Sequence, residues 1–175
     1  MLYPHGMILV VVGVAGCGKT TVGQIVAGRL HCEFADGDAF HPPANVEKMR
    51  AGIPLTDEDR WPWLQAIVAW MDARAAAGES AVVACSALKH AYREVLLSGA
   101  AGVRMIFLVV PLGDDETRLA HRAGHFFPAG LLESQFAVLE LPQPPEPVAL
   151  IPASGTPEQT ADQVMKALGL LPGAA

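Results

Sequence analysis

Residues 13–20, GVAGCGKT, carry the strongest chemical pattern in the chain, because they satisfy G-x-x-x-x-G-K-[ST] at every fixed position. Glycines let backbone N–H groups surround phosphate oxygens, and the helix that follows adds a favourable dipole. Lys19 would reach the β- and γ-phosphates of ATP, and the Thr20 hydroxyl would bind Mg²⁺. The predicted nucleotide-binding residues are Gly13, Ala15, Gly16, Cys17, Gly18, Lys19, Thr20 and Thr21. For Thr21 the alternative is that it simply forms part of the first helical turn.

A pair of carboxylates follows the second predicted strand, where Gly37 separates Asp36 from Asp38. In an open parallel sheet, residues after a strand lie at the edge where ligands bind. We expect Asp36 to be an outer ligand of Mg²⁺ and Asp38 to orient and deprotonate an acceptor hydroxyl. The division of these two roles stays open. The alternative is a structural turn, since Asp and Gly are also common in turns.

The elements that must position these residues alternate between apolar runs and amphipathic stretches. Strands are predicted at residues 8–12, 33–35, 81–85, 103–110 and 148–152. Helices are predicted to begin at Gly18, Ala44, Asp59, Lys89, Asp114, Ala129 and Pro157. This order predicts a three-layer α/β fold with a five-stranded parallel sheet and helices on both faces.

Length, charge and cysteine content narrow the class of protein. A chain of 175 residues suits one domain, which we expect to span residues 1–175. The net charge of −6 without a Lys/Arg run argues against nucleic acid as a partner. No stretch approaches the roughly 18 apolar residues of a membrane span. Three cysteines without a CxxC pair indicate a reducing compartment, so we expect a cytoplasmic protein.

Several segments, in the same order, resemble the gluconate kinase (gluconokinase) family of P-loop kinases. The first is DGD at residues 36–38, continued by HPPANVEKM at 41–49 and by a segment at 52–64 that includes PLTDEDR. The second is CSALK at residues 85–89, with Tyr92 and Arg93 after it. The third consists of Arg118, Arg122, GHFF at residues 124–127, Ser134 and Gln135. The spacing of DGD-x-x-HP and CSALK distinguishes this family from adenylate and shikimate kinases.

The resemblance implies a P-loop kinase fold with a mobile lid at about residues 118–135, ATP and Mg²⁺ as cofactors, and D-gluconate as the small-molecule substrate. The γ-phosphoryl group would pass to the 6-hydroxyl of gluconate. The catalytic residues so implied are Lys19, Asp38 and Arg122, and the lid residues that bind the nucleotide are Arg118 and Arg122. The implied substrate-binding residues are Asp38, His41, Arg60, Ser86, Lys89 and His125, and the metal site is Thr20 and Asp36. A homodimer is compatible with the resemblance.

The chemistry of these residues suits a sugar acid, whose carboxylate needs a cation and whose hydroxyls need mixed donors and acceptors. Arg60 is expected to clamp the carboxylate, with His41 and Lys89 as further donors. Each has a structural alternative. Arg60 would pair with a neighbouring acid at the surface, His41 would pack and cap the next helix, and Lys89 would solvate a helix end. For His125 the alternative is packing.

Two other functions stay open on the sequence. One is a kinase of another small acceptor, such as shikimate, a nucleoside monophosphate or another sugar acid. The other is a nucleotide-binding switch without small-molecule turnover. GTP is disfavoured as the nucleotide because the chain has no N-K-x-D motif.

Overall fold

The computed structural model describes residues 6–110 and 129–170. The strands are β1 (Ile8–Val12), β2 (Glu33–Asp36), β3 (Ala81–Cys85), β4 (Val103–Val109) and β5 (Val148–Pro152). The helices are α1 (Lys19–Leu30), α2 (Pro43–Arg50), α3 (Asp57–Ala76), α4 (His90–Leu97), α5 (Ala129–Ala137) and α6 (Pro157–Ala167). A 3₁₀ helix, Gly37–Phe40, connects β2 to α2. All five predicted strands are confirmed, and the helix predicted at Asp114 lies outside the described residues.

The five strands form one sheet in the order β2-β3-β1-β4-β5, and every pair is parallel. Strands β1 and β3 are continuous apolar runs that are buried along their whole length, as central strands of a parallel sheet are. Val12 lies opposite Cys85 and Phe107, and Asp36 lies opposite Ala84. The segments that follow β1, β2 and β3 therefore emerge side by side at one edge of the sheet.

Two pairs of helices cover the sheet. Helix α1 packs against α6 and against β2 and β3, whereas α3 packs against α4 and contacts β1. This arrangement confirms the predicted three-layer α/β fold. Among the described residues, no helix has both the length and the apolar character needed to cross a bilayer.

Helix α3 begins two residues before the predicted start at Asp59. The Thr56 hydroxyl accepts a hydrogen bond from the Asp59 N–H, and the Asp59 carboxylate accepts one from the Thr56 N–H, which completes a capping box. Asp59 is therefore the third residue of the helix rather than its start, and Asp57 is the first. Further along α3, Trp63 is buried and its indole Nε1–H donates to the Gly37 carbonyl at 2.7 Å, which joins α3 to the end of β2.

Candidate active site

The loop from β1 to α1 has the backbone that the glycine pattern predicts. Gly16 has φ of 77°, and Gly18, the N-cap of α1, has φ of 97° and ψ of 13°. Both lie in the left-handed region that side chains disfavour. Gly18 supplies no side-chain cap, and the first turn of α1 contains no acidic residue. The first N–H groups of this helix have no partner within the helix and therefore favour an anion such as phosphate.

Lys19 lies beside this loop, and its ammonium donates to the Val14 carbonyl at 2.8 Å. The half-buried side chain thus folds back over residues 13–18, within reach of an anion held by the loop. Cys17 is buried within the loop, and Thr21 is exposed on the first turn of α1. These positions are those expected of a phosphate-binding loop next to its lysine.

Asp36 joins the start of α1 to the 3₁₀ helix. Its Oδ2 accepts from the Thr20 hydroxyl at 3.1 Å, and its Oδ1 accepts from the Asp38 N–H at 3.0 Å. Asp36 therefore caps a turn, as the structural alternative predicted, and also contacts the residue expected to bind the metal. Because the Thr20 hydrogen faces Asp36, the hydroxyl lone pairs remain available to a cation.

The Thr20–Asp36 pair suits Mg²⁺ as a partial ligand set. Mg²⁺ prefers hard oxygen ligands and in kinases is held by one or two carboxylates together with water and substrate phosphates. Among the described residues, no cluster of three or more His, Cys, Asp and Glu side chains forms a metal site. The hydroxyl and carboxylate oxygens beside the phosphate-binding loop therefore fit a metal that arrives with a nucleotide.

Gly37 fixes where Asp38 can lie. A Cβ at Gly37 would approach the Ala84 carbonyl to 2.5 Å, so only glycine allows β2 and the turn after it to lie this close to β3. Asp38 follows on the 3₁₀ helix, and its side chain is exposed. The glycine thus places an accessible carboxylate next to the end of β3.

His41 packs against the ring of Trp63, with centroids 4.4 Å apart and an interplanar angle of 10°. Its Nδ1 lies 3.3 Å from the Asn45 side-chain nitrogen. Burial, and then the nearby charge of Arg60, lower the pKa of His41 to about 4. The imidazole is therefore neutral at pH 7 and suits hydrogen bonding to a hydroxyl better than charge pairing with a carboxylate.

Asp57 forms a group with Arg60, Lys89 and Tyr92, although the resemblance had included Asp57 only as part of the family pattern and not as a site residue. Lys89 Nζ donates to Asp57 Oδ1 at 2.7 Å, and the Tyr92 hydroxyl donates to the same oxygen at 2.5 Å. The guanidinium carbon of Arg60 lies 5.7 Å from the Tyr92 ring centroid. Within the described residues Arg60 forms no ion pair, so the surface-pair alternative has no support there. Acidic residues are common in a first helical turn, so the sequence did not indicate that Asp57 belongs to the site.

Ser86 lies in the connection from β3 to α4, which a buried arginine holds in place. Arg93 donates to the Leu88 carbonyl at 3.0 Å and pairs through Nε with Glu146 at 2.8 Å. Arg93 is fully buried, and the Glu146 side chain is only 10% exposed. The proline-rich segment at residues 143–147 is irregular, and nothing in its sequence indicates that it supports the Ser86–Lys89 connection.

Candidate residues for binding the nucleotide and for binding the acceptor lie around the end of β3. Burial raises the pKa of the Cys85 thiol, and the charges of Lys19, Asp38 and Arg60 also act on that thiol. These three charges therefore lie near enough to the end of β3 to act on Cys85. The structure thus brings the lysine of the candidate phosphate-binding loop, the candidate base and the candidate carboxylate clamp to one edge of the sheet.

A further contact reaches the phosphate-binding loop from α5. The Ala15 N–H donates to Gln135 Oε1 at 2.7 Å, across 120 residues of sequence. The resemblance had included Gln135, but only as part of the family pattern and not as a site residue. Arg118, Arg122 and His125 lie outside the described residues, as does most of the predicted lid.

Comparisons with known proteins agree with this geometry. A family model described as an AAA domain matches residues 8–142. A gluconokinase of Gluconobacter oxydans is 46% identical over 158 residues, which cover 90% of this chain and 89% of that protein.

Solved structures give the same result. A crystal structure of a gluconokinase from Sinorhizobium meliloti 1021 has a TM-score of 0.82 at 38% identity and covers 95% of this chain and 94% of that one. A sugar kinase from Janibacter sp. HTCC2649 has a TM-score of 0.86 at 46% identity, with 95% of this chain and 96% of that one covered. The agreement in sequence, fold and site geometry shows that this chain belongs to the gluconokinase family.

Proposed function

We propose that this protein is a gluconokinase that transfers the γ-phosphoryl group of ATP to the 6-hydroxyl of D-gluconate. The observation that carries the proposal is that the loop with Lys19, the exposed Asp38 after β2 and the Lys89 group after β3 follow neighbouring parallel strands at one edge of the sheet. A phosphate-binding loop alone would serve many nucleotide-binding proteins. A carboxylate and a cation placed beside it supply what an acidic, hydroxylated acceptor requires.

On the nucleotide side, backbone N–H groups of the loop and of the start of α1 bind the phosphates. Lys19 exchanges its bond to the Val14 carbonyl for the β- and γ-phosphates, where its charge stabilises the transferring group. The residues proposed to contact the nucleotide are Gly13, Ala15, Gly16, Cys17, Gly18, Lys19, Thr20 and Thr21. Arg118 and Arg122 are proposed from the resemblance to complete this set, with Arg122 catalytic.

Mg²⁺ is proposed to be held by the Thr20 hydroxyl, with Asp36 as its outer ligand. When bound, the metal neutralises charge on the β- and γ-phosphates. The Thr20–Asp36 hydrogen bond supports this assignment, because it orients the hydroxyl lone pairs away from the carboxylate.

On the acceptor side, Asp38 is proposed to accept the proton of the 6-hydroxyl as that oxygen attacks the γ-phosphorus, while the bond from phosphorus to ADP breaks. Arg60 binds the gluconate carboxylate, and the neutral His41 hydrogen-bonds a hydroxyl. Ser86 and Lys89 contribute further donors, and His125 is included on the resemblance alone. Most of the rate enhancement then comes from positioning and charge neutralisation.

We also propose a single domain over residues 1–175, a cytoplasmic location and a homodimer. The buried thiols of Cys17 and Cys85 suit a reducing compartment. Light scattering on the full chain tests the homodimer, since a monomer mass would contradict it.

The experiment that tests the activity is a coupled ADP-release assay with Mg-ATP and a panel of acceptors: D-gluconate, related sugar acids, shikimate and AMP. We expect turnover with gluconate that is lost in Lys19→Ala and Asp38→Asn. Asp162→Asn is the matched control, because it removes an exposed carboxylate that pairs with Arg29 at the other end of α1. Turnover only with a different acceptor would contradict gluconate as the substrate. ATP binding without acceptor-dependent turnover would favour a nucleotide-binding switch.

A further inference from the structure

The first turn of α3 contains three acidic residues, and Asp57 takes no part in capping the helix through its side chain. The cap is complete with Thr56 and Asp59, and the Asp59 carboxylate also pairs with Lys48 at 2.7 Å. The side chain of Asp57 is therefore available for contacts outside α3.

Those contacts come from the first turn of α4. Lys89 and Tyr92, which donate to Asp57 Oδ1 at 2.7 and 2.5 Å, lie 32 and 35 residues further along the chain. Among the described residues no hydrogen bond falls on Asp57 Oδ2, and the Asp57 side chain is 44% exposed. A small ligand can therefore reach Oδ2 while Oδ1 holds the two donors.

Two cations act on Asp57, and of these only Lys89 forms an ion pair with it among the described residues. The Lys89 ammonium is paired with Asp57, and both Lys89 Nζ and the Arg60 guanidinium carbon lie within 5.7 Å of the Tyr92 ring centroid. The hydrogen bonds from Lys89 and Tyr92 lower the pKa of Asp57, so this carboxyl is ionised at neutral pH. Glu140 also acts on Tyr92, but its carboxylate accepts from the first backbone N–H of α4 at 2.6 Å, where the helix dipole offsets its charge.

We propose that Asp57 is a positioning residue that makes the acceptor site selective for sugar acids with one carboxylate, an inference that rests on the proposed function. By engaging Lys89, Asp57 leaves Arg60 as the cation that binds the acceptor carboxylate. Because Asp57 already neutralises Lys89, a second carboxylate finds no free partner in that ammonium, and Asp57 Oδ2 accepts from an acceptor hydroxyl. Asp57 thus selects by charge as well as by hydrogen bonding.

D-Glucarate is a suitable probe because a second carboxylate replaces the hydroxymethyl group at C6 of gluconate. It therefore lacks the primary hydroxyl and reports binding alone. The test compares Asp57→Asn with Glu58→Gln, since Glu58 is the exposed neighbour in the same helical turn. Dissociation constants for gluconate and glucarate are measured by calorimetry, and KM values for gluconate and ATP by ADP release.

For Asp57→Asn we expect the gluconate KM to rise about tenfold, because the uncharged amide oxygen of Asn is a weaker acceptor for Lys89 and Tyr92. The ATP KM should stay unchanged. Removing the negative charge should also strengthen glucarate binding relative to gluconate by about fivefold. Glu58→Gln should change none of these values.

Two results would overturn the inference: an Asp57→Asn variant that behaves like Glu58→Gln, or one that weakens both acids in the same proportion. Asp57→Glu keeps the charge, so it should still discriminate against glucarate even if gluconate binds less well. This variant decides the question if Asp57→Asn does not fold. If the wild type does not turn over gluconate, the proposed function fails, whereas the calorimetric ratio still tests the role of Asp57.

Discussion

The nucleotide side and the acceptor side of the candidate site are built in different ways. The nucleotide side is one continuous segment, residues 13–20, fixed by backbone conformation between β1 and α1. The acceptor side combines the end of β2, the start of α3 and the connection from β3 to α4 through side-chain contacts. Under the proposed function, local backbone geometry holds the group to be transferred, whereas the choice of acceptor depends on contacts between distant segments.

The largest effects are expected from substitutions of Asp38, on the acceptor side, and of Lys19, on the nucleotide side. Asp38→Asn should lower kcat/KM for gluconate by about 10²–10⁴-fold, because the base is lost, while ATP binds as before. Lys19→Ala should lower kcat by about 10²–10³-fold and also weaken ATP binding, because the lysine contacts the phosphates. ADP release and calorimetric titration with ATP measure the two quantities.

The matched control for Lys19→Ala is Lys166→Ala, which removes an exposed ammonium near the end of α6. Its activity and ATP affinity should equal those of the wild type. Equal loss of ATP binding in Asp38→Asn and Lys19→Ala would contradict the division of the site into a nucleotide side and an acceptor side.

The next effect concerns the buried ion pair between Arg93 and Glu146, which holds the connection from β3 to α4 on the acceptor side. Removing one partner of a buried ion pair costs about 3–5 kcal/mol, so Arg93→Met should lower the free energy of unfolding by about that amount. The exposed pair of Arg29 with Asp162 is the control, and Arg29→Met should cost no more than about 1 kcal/mol. Urea unfolding measures both. Similar losses in the two variants would mean that Arg93 does not anchor the connection that carries Ser86.

A smaller effect is expected at Gln135, where α5 contacts the nucleotide side. Gln135→Met removes the acceptor for the Ala15 N–H and frees that donor for a phosphate, so the ATP KM should fall by up to about tenfold while the gluconate KM stays unchanged. Gln143→Met is the control, because Gln143 is an exposed glutamine outside this contact. A rise confined to the gluconate KM would assign Gln135 to the acceptor side instead.

The smallest effect is a pH dependence of stability at His41. Its pKa is about 4 in the folded protein, against an ordinary value of about 6.5, so the unfolded chain binds the proton more readily. The contribution of His41 is fully present above pH 6.5 and is lost as the pH falls through 4. His41→Phe retains an aromatic ring against Trp63 but cannot titrate, so the stability advantage of the wild type should shrink from pH 7 to pH 4. Parallel stability curves in urea unfolding would contradict a buried neutral imidazole.

The nucleotide side was largely predictable from the sequence because its motif is contiguous and its strand and helix are strongly patterned. The acceptor side was predictable only in part. Arg60 and Lys89 were identified through the family resemblance, but the shared partner of Lys89 and Tyr92 at Asp57 depends on how α3 and α4 pack. Arg93 and Glu146 are 53 residues apart, and a proline-rich loop carries no pattern that indicates a buried ion-pair partner. Gln135 likewise meets Ala15 only through the tertiary fold.

The measurement that tests the central claim most directly is proton-coupled ³¹P NMR of the product formed from ATP, Mg²⁺ and D-gluconate. Transfer to the 6-hydroxyl places the phosphorus next to a CH₂ group, so the new phosphomonoester signal should be a triplet. It should be absent with Asp38→Asn over the same time. A doublet would show transfer to a secondary hydroxyl, and ADP formation with inorganic phosphate alone would show that the site does not deliver the phosphoryl group to gluconate.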